Sequence, residues 1–179
     1  MPCLVYTSSP SVVFDGNSME GVDETVPYPA VFHAAYPRTK AIAEQRVAAA
    51  ARDGLRTISL RPHLIWGPGD PHLAPRIIER AKRLRIVGKG DNKVDTIYID
   101  NAAEAHILAA DHLSQNPTLS GNIYFISNDE PIVLWEMINA ILKAAGRPPV
   151  RRRVHPSVAY VAGTLLEAIY RLFRLSGEP

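Results

Sequence analysis

The sequence lacks several features that would assign it quickly to a class of protein. It has one cysteine, Cys3, so an intrachain disulfide and a cysteine-based metal site are both excluded. Its 20 basic and 18 acidic residues give a formal charge of +2, which is too small for a nucleic-acid footprint. The opening residues MPCLVYTSSP have neither the basic start nor the long apolar run of a cleavable signal. Together these absences predict a cytoplasmic protein that does not bind nucleic acid.

The sequence also lacks a long uncharged apolar run. The most apolar region, residues 157–175, contains Glu167, Arg171 and Arg174, whereas a spanning helix needs about 20 mostly uncharged residues. The pattern favours a helix packed on the protein, and peripheral contact with a membrane surface is the alternative. The basic run 151–153 is predicted to be a solvated loop, with contact to an anionic cofactor or lipid headgroup as its alternative.

What the sequence does contain is an alternation of strand-like and helix-like segments. Strands are predicted at 2–8, 55–62, 94–99 and 122–127, and helices at 34–52, 74–84, 101–114 and 131–145. Such alternation predicts an α/β fold with a parallel sheet. In this interpretation residues 2–8 form a buried strand, and Asp100 is the N-cap of the helix predicted at 101–114.

The helix predicted at 34–52 has a tyrosine and a lysine one turn apart, Tyr36 and Lys40, in YPRTK. Residues four apart share one face of a helix, so their side chains lie within reach of each other. A free phenol is too weak an acid to exchange protons efficiently at neutral pH, and a neighbouring ammonium stabilises its phenolate. The pair is therefore typical of a general acid/base, with an ordinary surface contact as the alternative.

Polar residues follow the strands on either side of this helix. TSSPS comes at the end of the first strand, and RPHLIWGP comes at the end of the second. Ligands of open α/β sheets bind beyond the carboxyl ends of the strands, so these segments are expected to converge. A serine, Tyr36 and Lys40 acting on one substrate oxygen would suit alcohol–ketone interconversion with a nicotinamide cofactor. The serines are alternatively simple turn formers.

Five ordered segments resemble the extended branch of the short-chain dehydrogenase/reductase superfamily. YPRTK at 36–40 matches its Tyr-x-x-x-Lys pair, VYTSSPSVVF at 5–14 its serine-bearing strand end, and RPHLIWGPGDP at 61–71 its nicotinamide-lining segment. The segments 94–110 and 124–136 are similar to the 3β-hydroxysteroid dehydrogenase group, and particularly to its sterol-4-carboxylate 3-dehydrogenase-like members. The resemblance extends over nearly the whole chain.

The resemblance implies an incomplete Rossmann-like, doubly wound parallel sheet plus a small C-terminal substrate-binding region. Residues 1–66 would be the last part of the dinucleotide-binding domain. Residues 67–179 would form a mixed α/β substrate-binding region with an apolar terminal helix, some of its segments returning to the sheet. The implied substrate is an apolar, sterol-like alcohol with a 3β-hydroxyl, and the terminal helix resembles a membrane-associating tail.

The resemblance also implies roles for particular residues. Tyr36 would be the acid/base, Lys40 would activate it and hold the nicotinamide ribose, and Ser9 would be the catalytic serine, with Ser8 as the fallback. Three residues would lie along the nicotinamide of NAD or NADP: Pro62, His63 and Leu64. No metal is implied, because no ligand cluster accompanies His63 or His106, and His106 is predicted to be a packed helix residue.

The glycine-rich turn that opens members of this family is absent from the sequence. Gly88 and Gly90 in VGKGDN lack both a third glycine and a helical continuation. The chain is therefore expected to be the C-terminal portion of a longer enzyme, with weak or absent binding of NAD or NADP by itself. An uncovered sheet edge predicts self-association into a homo-oligomer, or completion by a missing N-terminal half.

Two alternatives to a sterol-like oxidoreductase stay open. One is an extended-branch reductase or epimerase that acts on a nucleotide sugar or a small ketone, against which the apolar tail argues. The other is a truncated, non-catalytic remnant that serves as a binding module, which the absent glycine-rich turn favours.

Overall fold

The structure is a computed structural model that describes residues 2–172, except for the side chains of 167–169, 171 and 172. Its strands are β1 (Cys3–Thr7), β2 (Arg56–Pro62), β3 (Ile65–Trp66), β4 (Ile86–Val87), β5 (Lys93–Val94), β6 (Ile97–Tyr98), β7 (Asn122–Ile126), β8 (Ile132–Val133) and β9 (Arg153–Val154). Its α-helices are α1 (Ala35–Arg52), α2 (Leu73–Arg80), α3 (Ile99–Gln115), α4 (Leu134–Ala144) and α5 (Pro156–Leu172). Short 3-10 helices cover Pro10–Val13 and Pro117–Leu119.

The main sheet has three parallel strands in the order β1-β2-β7. Thr7 at the end of β1 pairs with Leu60 of β2, and Pro62 at the end of β2 pairs with Ile126 of β7. The predicted α/β fold with a parallel sheet is thereby confirmed. The prediction of a buried strand at 2–8 is wrong, because β1 lies at the edge of this sheet and leaves Leu4 exposed.

The two faces of β2 are covered by different helices because its side chains alternate in direction. Ile58 and Leu60 pack in one cluster with Leu113 of α3. Arg61 points to the opposite face, where it meets Glu44 of α1. The sheet is thus wound on both sides, and α1 is fixed on one face with its first turn near the carboxyl ends of the strands.

The chain divides into two compact units. The first unit comprises the chain up to Asp70 together with Asp95–Pro131, and it contains the main sheet, α1, α3 and the β3–β6 pair. The second unit comprises Pro71–Val94 and the chain from Ile132 onward. Its core joins α2, α4 and the segment after α4 through Ile77, Ile86, Ile138, Leu142 and Val150.

Most differences between the predicted and the observed strands concern strands of only two residues. The strand predicted at 94–99 is divided between β5, which pairs antiparallel with β8, and β6, which pairs parallel with β3. Since α3 begins at Ile99, the residue at the N-cap is Tyr98, and Asp100 lies in the first turn. Its carboxylate still interacts favourably with the positive end of the helix dipole.

The apolar region predicted to be a helix corresponds to α5, and residues 173–175 of that prediction lie outside the described residues. Among the helices in the described part of the chain, none is long and apolar enough to cross a bilayer.

Candidate functional site

The residues predicted to carry chemistry lie around the carboxyl ends of β1 and β2. The backbone N–H of Ser8 donates to the carbonyl oxygen of Leu60 at 2.6 Å, so the pairing continues one residue beyond β1. The N–H of His63 donates to the carbonyl oxygen of Ile126 at 3.2 Å, one residue beyond β2. The segments that follow the two strands therefore leave the sheet at the same edge.

Lys40 is held at this edge by its side chain. Its Nζ donates to the carbonyl oxygen of Thr7 at 2.8 Å, and it lies 5.1 Å from the centre of the Tyr6 ring. A carbonyl dipole and an aromatic face both stabilise a cation. The last residues of β1 thus fix the position of the ammonium.

Tyr36 lies one turn before Lys40 on the same face of α1. It is 58% exposed, and no hydrogen-bond partner of its hydroxyl is found among the described residues. A substrate oxygen can therefore reach this phenol without displacing a protein partner.

The two candidate serines have different surroundings. Ser9 caps the 3-10 helix Pro10–Val13: its Oγ accepts from the N–H of Ser11 at 3.3 Å and lies 2.9 Å from Ser11 Oγ. Ser8 is 4% exposed, and its Oγ makes no hydrogen bond of standard geometry with any described residue. The structure therefore gives Ser9 the local role of a turn former, whereas the buried Ser8 hydroxyl lies near the Glu44 carboxylate without a hydrogen bond of standard geometry. Neither hydroxyl is hydrogen-bonded to Tyr36 within the described residues.

The segment predicted to line the nicotinamide follows β2 directly. Pro62 is buried at the end of the strand, and His63 and Leu64 are half-buried beyond it. Leu64 donates its N–H to His63 Nδ1 at 3.2 Å, and its carbonyl oxygen accepts from the N–H of Ile97 at 3.3 Å. This segment is therefore held against the start of β6 and is not a free loop.

His106 of α3 bonds through both ring nitrogens. Nε2 lies 2.8 Å from Thr7 Oγ1, and Nδ1 lies 2.6 Å from the carbonyl oxygen of Ala102. It is half-buried, as a histidine packed on its helix would be. Across the described residues, no group of three or more histidine, cysteine, aspartate or glutamate side chains is placed to hold a metal ion.

A buried ion pair beside this edge was missed by the sequence analysis. Glu44 is 0% exposed and lies one turn after Lys40 on α1. Arg61 of β2 donates to both of its oxygens, from Nη2 to Oε1 at 2.7 Å and from Nε to Oε2 at 3.1 Å. Tyr28 donates its hydroxyl hydrogen to Oε1 at 2.6 Å. The only sequence signal for this pair was the spacing of Tyr36, Lys40 and Glu44 by four residues each.

The electrostatics of this network favour an ionised Glu44. Burial by itself raises the pKa of Glu44. The hydrogen bonds and positive charge of Arg61, together with the hydroxyls of Ser8 and Tyr28, lower it by more than burial raises it. The pKa of Glu44 therefore lies below its ordinary value. The Ser8 hydroxyl acts on this carboxylate from outside standard hydrogen-bond geometry. Burial and the bond to Glu44 raise the pKa of Tyr28 to about 12.

Two side chains on one face of α1 therefore anchor it to two strands. Glu44 fixes the helix to β2 through Arg61, and Lys40 fixes it to β1 through the carbonyl oxygen of Thr7. Tyr36, one turn before Lys40 on that face, is exposed, and none of the described residues bonds its hydroxyl. The arrangement places one exposed phenol a helical turn from the Lys40 ammonium at the edge of the sheet.

The residues at this edge fit the nicotinamide end of a dinucleotide. The Lys40 ammonium, the exposed Tyr36 phenol and the partly apolar segment after β2 are the groups available there. They do not supply a pyrophosphate cradle. Gly88 and Gly90 belong to the second unit and follow β4, where Gly90 lies against Ile86 and Trp135.

The sequence model of the 3-beta hydroxysteroid dehydrogenase/isomerase family matches residues 1–155. The chain belongs to this family. The predicted resemblance to extended short-chain dehydrogenases is therefore confirmed. Family membership explains why β1, α1, β2 and the segment after β2 follow one another in this order.

Sequence alignments with curated relatives extend over most of the chain. The 2-alkyl-3-oxoalkanoate reductase of Shewanella oneidensis is 49% identical, over 98% of this chain and 48% of that protein. The sterol-4-alpha-carboxylate 3-dehydrogenase (decarboxylating) of Schizosaccharomyces pombe is 43% identical, over 82% of this chain and 44% of that protein. The chain spans about half the length of the curated relatives it matches.

A solved structure confirms the Rossmann-like fold. The UDP-glucose 4-epimerase of Thermus thermophilus, crystallised with NAD, superposes with a TM-score of 0.63 and 27% identity. The superposition covers 87% of this chain and 52% of the epimerase. The similarity supports NAD(P) use by the family, while the different activities of its relatives leave a steroid substrate as one choice among several.

Proposed function

We propose that this chain carries the acid/base and nicotinamide-side portion of an NAD(P)-dependent oxidoreductase. Its substrate would be a bulky apolar molecule in which a hydroxyl or ketone lies beside a carbon that bears a carboxylate. The observation that carries the proposal is the position of Lys40, bonded to Thr7 at the end of β1 and one turn from the exposed Tyr36. Residues 1–66 would serve the cofactor, and residues 67–179 would serve the substrate.

The substrate class follows from what the names of two relatives share. In a 2-alkyl-3-oxoalkanoate the ketone carbon is adjacent to the carbon that bears the carboxylate. A sterol-4-carboxylate 3-dehydrogenase acts at the carbon next to the one that bears the carboxylate. Both describe a β-hydroxy or β-keto acid on an apolar skeleton. A 3β-hydroxysterol that carries a carboxylate at C4 is one member of this class, and acids with simpler alkyl chains are another.

The roles of the residues follow from their positions. When bound, the nicotinamide supplies the hydride acceptor or donor. In the oxidation direction Tyr36 Oη accepts the proton of the substrate hydroxyl, and the Lys40 ammonium stabilises the phenolate from which this transfer begins. A serine hydroxyl, from Ser9 or alternatively from Ser8, would donate a hydrogen bond to the same substrate oxygen.

The segment after β2 would hold the nicotinamide itself. Its residues Pro62, His63 and Leu64 are buried or half-buried at the edge where Lys40 is held. A partly apolar wall suits one face of a nicotinamide ring and keeps water from it. Lys40 would in addition hold the ribose hydroxyls.

A nucleotide-sugar reaction is the second candidate, since the epimerase from Thermus thermophilus shares the fold at 27% identity. Reduction assays separate the two candidates. We expect a 2-alkyl-3-oxoalkanoate to be reduced while NADH or NADPH is oxidised. With the corresponding ketone that lacks the carboxylate, we expect the cofactor to be oxidised much more slowly. Chromatography detects conversion of UDP-glucose. If UDP-glucose is converted and the keto acid is not, the result contradicts the proposal and favours the second candidate.

Tyr36→Phe tests the acid/base role in the same assay. This change removes only the hydroxyl, so we expect turnover to fall by about 100-fold or more while the fold is kept. Tyr160→Phe is the matched control, because Tyr160 is an exposed tyrosine on α5. Tyr36→Phe protein that retains full turnover would remove Tyr36 from this role.

A further inference from the structure

The hydroxyls of Ser9 and Ser11 form a pair just after β1. Their Oγ atoms lie 2.9 Å apart, and Ser9 Oγ also accepts from the backbone N–H of Ser11 at 3.3 Å. Among the described residues, neither hydroxyl has a further hydrogen-bond partner. Two hydroxyls in contact are more than the turn requires, because the backbone N–H alone completes the cap of the 3-10 helix.

The pair has a fixed place relative to α1. It lies at the start of the 3-10 helix Pro10–Val13, in which Val12 and Val13 are buried. Both valines pack in one cluster with Ala41, the residue after Lys40 on α1. The element that carries the two serines is therefore packed on the helix that carries the proposed acid/base, and groups on packed elements hold their positions better than groups on free loops.

The number of hydrogens decides what the Ser9 hydroxyl can do. A serine hydroxyl has one hydrogen to donate and two lone pairs that accept. If Ser9 donates to Ser11, its only hydrogen is used within the pair and none is left for a substrate. If Ser11 donates to Ser9, the N–H and the O–H of Ser11 occupy both lone pairs of Ser9 Oγ, and the Ser9 hydrogen is left for an outside acceptor.

The second of these arrangements also makes Ser9 the better donor. Hydrogen bonds that an oxygen accepts polarise its own O–H bond, so that successive hydrogen bonds strengthen one another. A ketone oxygen accepts hydrogen bonds and donates none, so it can pair only with the arrangement in which the Ser9 hydrogen is free. The approach of a ketone therefore selects the arrangement in which Ser11 is the donor within the pair.

We propose that Ser11 is a positioning residue for the Ser9 hydroxyl. Ser11 donates its hydroxyl hydrogen to Ser9 Oγ, and this bond leaves the Ser9 hydrogen directed to the substrate oxygen. Ser11 itself does not touch the substrate, and no proton leaves either serine. The inference rests on the proposed function, in which Tyr36 is the acid/base and a serine donates to the same substrate oxygen.

Steady-state reduction of a 2-alkyl-3-oxoalkanoate with NADH or NADPH tests the inference. We expect Ser11→Ala to lower kcat by about tenfold, the effect of one hydrogen bond in the transition state, and to leave KM unchanged. Ser11→Thr carries the same hydroxyl and should regain most of the lost kcat. Ser114→Ala is the matched control and should keep the wild-type kcat, because Ser114 Oγ makes one local hydrogen bond on α3, to the carbonyl oxygen of Asp111 at 2.7 Å.

A double-variant cycle separates positioning from direct contact with the substrate. Ser9→Ala should lower kcat by about 100-fold, as the removal of one preorganised donor does. Ser9→Ala/Ser11→Ala should lower kcat no further, because Ser11 acts only through Ser9. Circular dichroism verifies that each variant is folded. An additional loss of kcat in the double variant would mean that Ser11 acts on the substrate itself, and it would overturn the positioning role.

The Tyr36→Phe variant distinguishes failure of this inference from failure of the proposed function. If Ser11→Ala keeps the wild-type kcat while Tyr36→Phe loses it, this inference is wrong and the proposed function stands. If Tyr36→Phe also keeps the wild-type kcat, or if the wild type does not reduce the keto acid, the proposed function is wrong and this inference falls with it.

Discussion

Glu44 is the residue on which the position of α1 depends, since its buried carboxylate binds Arg61 through both oxygens. Burying two charges is costly, and their attraction offsets that cost only when the geometry is good. The bidentate contact and the Tyr28 hydroxyl provide that geometry. The pair holds the helix face that carries Lys40 and Tyr36.

Glu44→Gln is therefore expected to destabilise the protein. The change leaves Arg61 as an uncompensated buried charge, which costs about 3–5 kcal/mol of unfolding free energy. The pKa of Glu44 lies below its ordinary value of 4.5. The ionised carboxylate therefore stabilises the protein above pH 4.5, and this stabilisation is lost as the pH falls through the lowered pKa. Urea denaturation between neutral and acidic pH measures both effects.

The double variant Glu44→Gln/Arg61→Met is the control for this prediction. Removing both charges should cost less stability than Glu44→Gln alone, because no unpaired charge stays buried. Equal stability of wild type and Glu44→Gln at neutral pH would show that the pair does not anchor α1.

Single residues differ in how far the sequence predicts them. Tyr36 and Lys40 can be found from a spacing of four on a strongly helical segment, and the structure places Lys40 at a strand end. Glu44 and Arg61 cannot be found that way, because charged residues are mostly exposed and only the contact between α1 and β2 buries these two. The local bonds of Ser9 with Ser11 correspond to the turn-forming role that the sequence offered as an alternative.

At the scale of elements, β2 and α1 are predicted almost to the residue. A strand in which Ile58 and Leu60 alternate with polar residues, and a long alanine-rich helix, both form from local pattern. The two-residue strands are different, because β3, β4, β5 and β6 exist only through the partners that the fold provides. A single strand predicted at 94–99 is therefore divided between two units.

Gly67, in the loop after β3, tests how tightly that loop approaches α3. A Cβ at this position would collide with the side chain of Ile99, and the φ of +149° lies where side chains are disfavoured. We expect Gly67→Ala to lower the free energy of unfolding by about 1–3 kcal/mol.

Gly69→Ala is the matched control for the loop. Gly69 also has a positive φ, +81°, but a Cβ there would meet nothing within 4 Å. The control should therefore show only the backbone cost, and Gly67→Ala should be the more destabilised of the two in urea. Equal losses would mean that the contact with Ile99 does not constrain the loop.

At the scale of the whole molecule, the edge of the main sheet is the feature with the largest consequence. Within the described residues β1 pairs with β2 alone, and Leu4 is exposed on it. Unpaired strand edges recruit other strands. We expect the chain to self-associate through β1, so that its sedimentation coefficient rises with concentration.

Leu4→Lys should weaken this association, because a lysine on an edge strand discourages pairing. Val87→Lys, an equal change at an exposed position of β4 in the second unit, should leave the association unchanged. Sedimentation of a monomer that is independent of concentration would contradict the prediction.

The whole molecule also shows why the sequence predicts some surfaces and misses others. The α/β class follows from the alternation of elements, and the family follows from ordered segments along the chain. The cluster of basic residues around Lys82, Arg85 and Arg151 does not, since the turn after α2 and the segment after α4 come together only when the second unit folds. In the sequence, 151–153 was the only basic run and was predicted to be a solvated loop.

We propose that the edge formed by β1, β2 and α1 binds a nicotinamide cofactor, and fluorescence titration with NADH and NADPH measures this binding. We predict weak, saturable binding by the 179-residue chain that Lys40→Met abolishes and that Lys143→Met, at an exposed position of α4, preserves. The absence of binding at millimolar cofactor, or equal binding by the Lys40→Met variant, would contradict the claim.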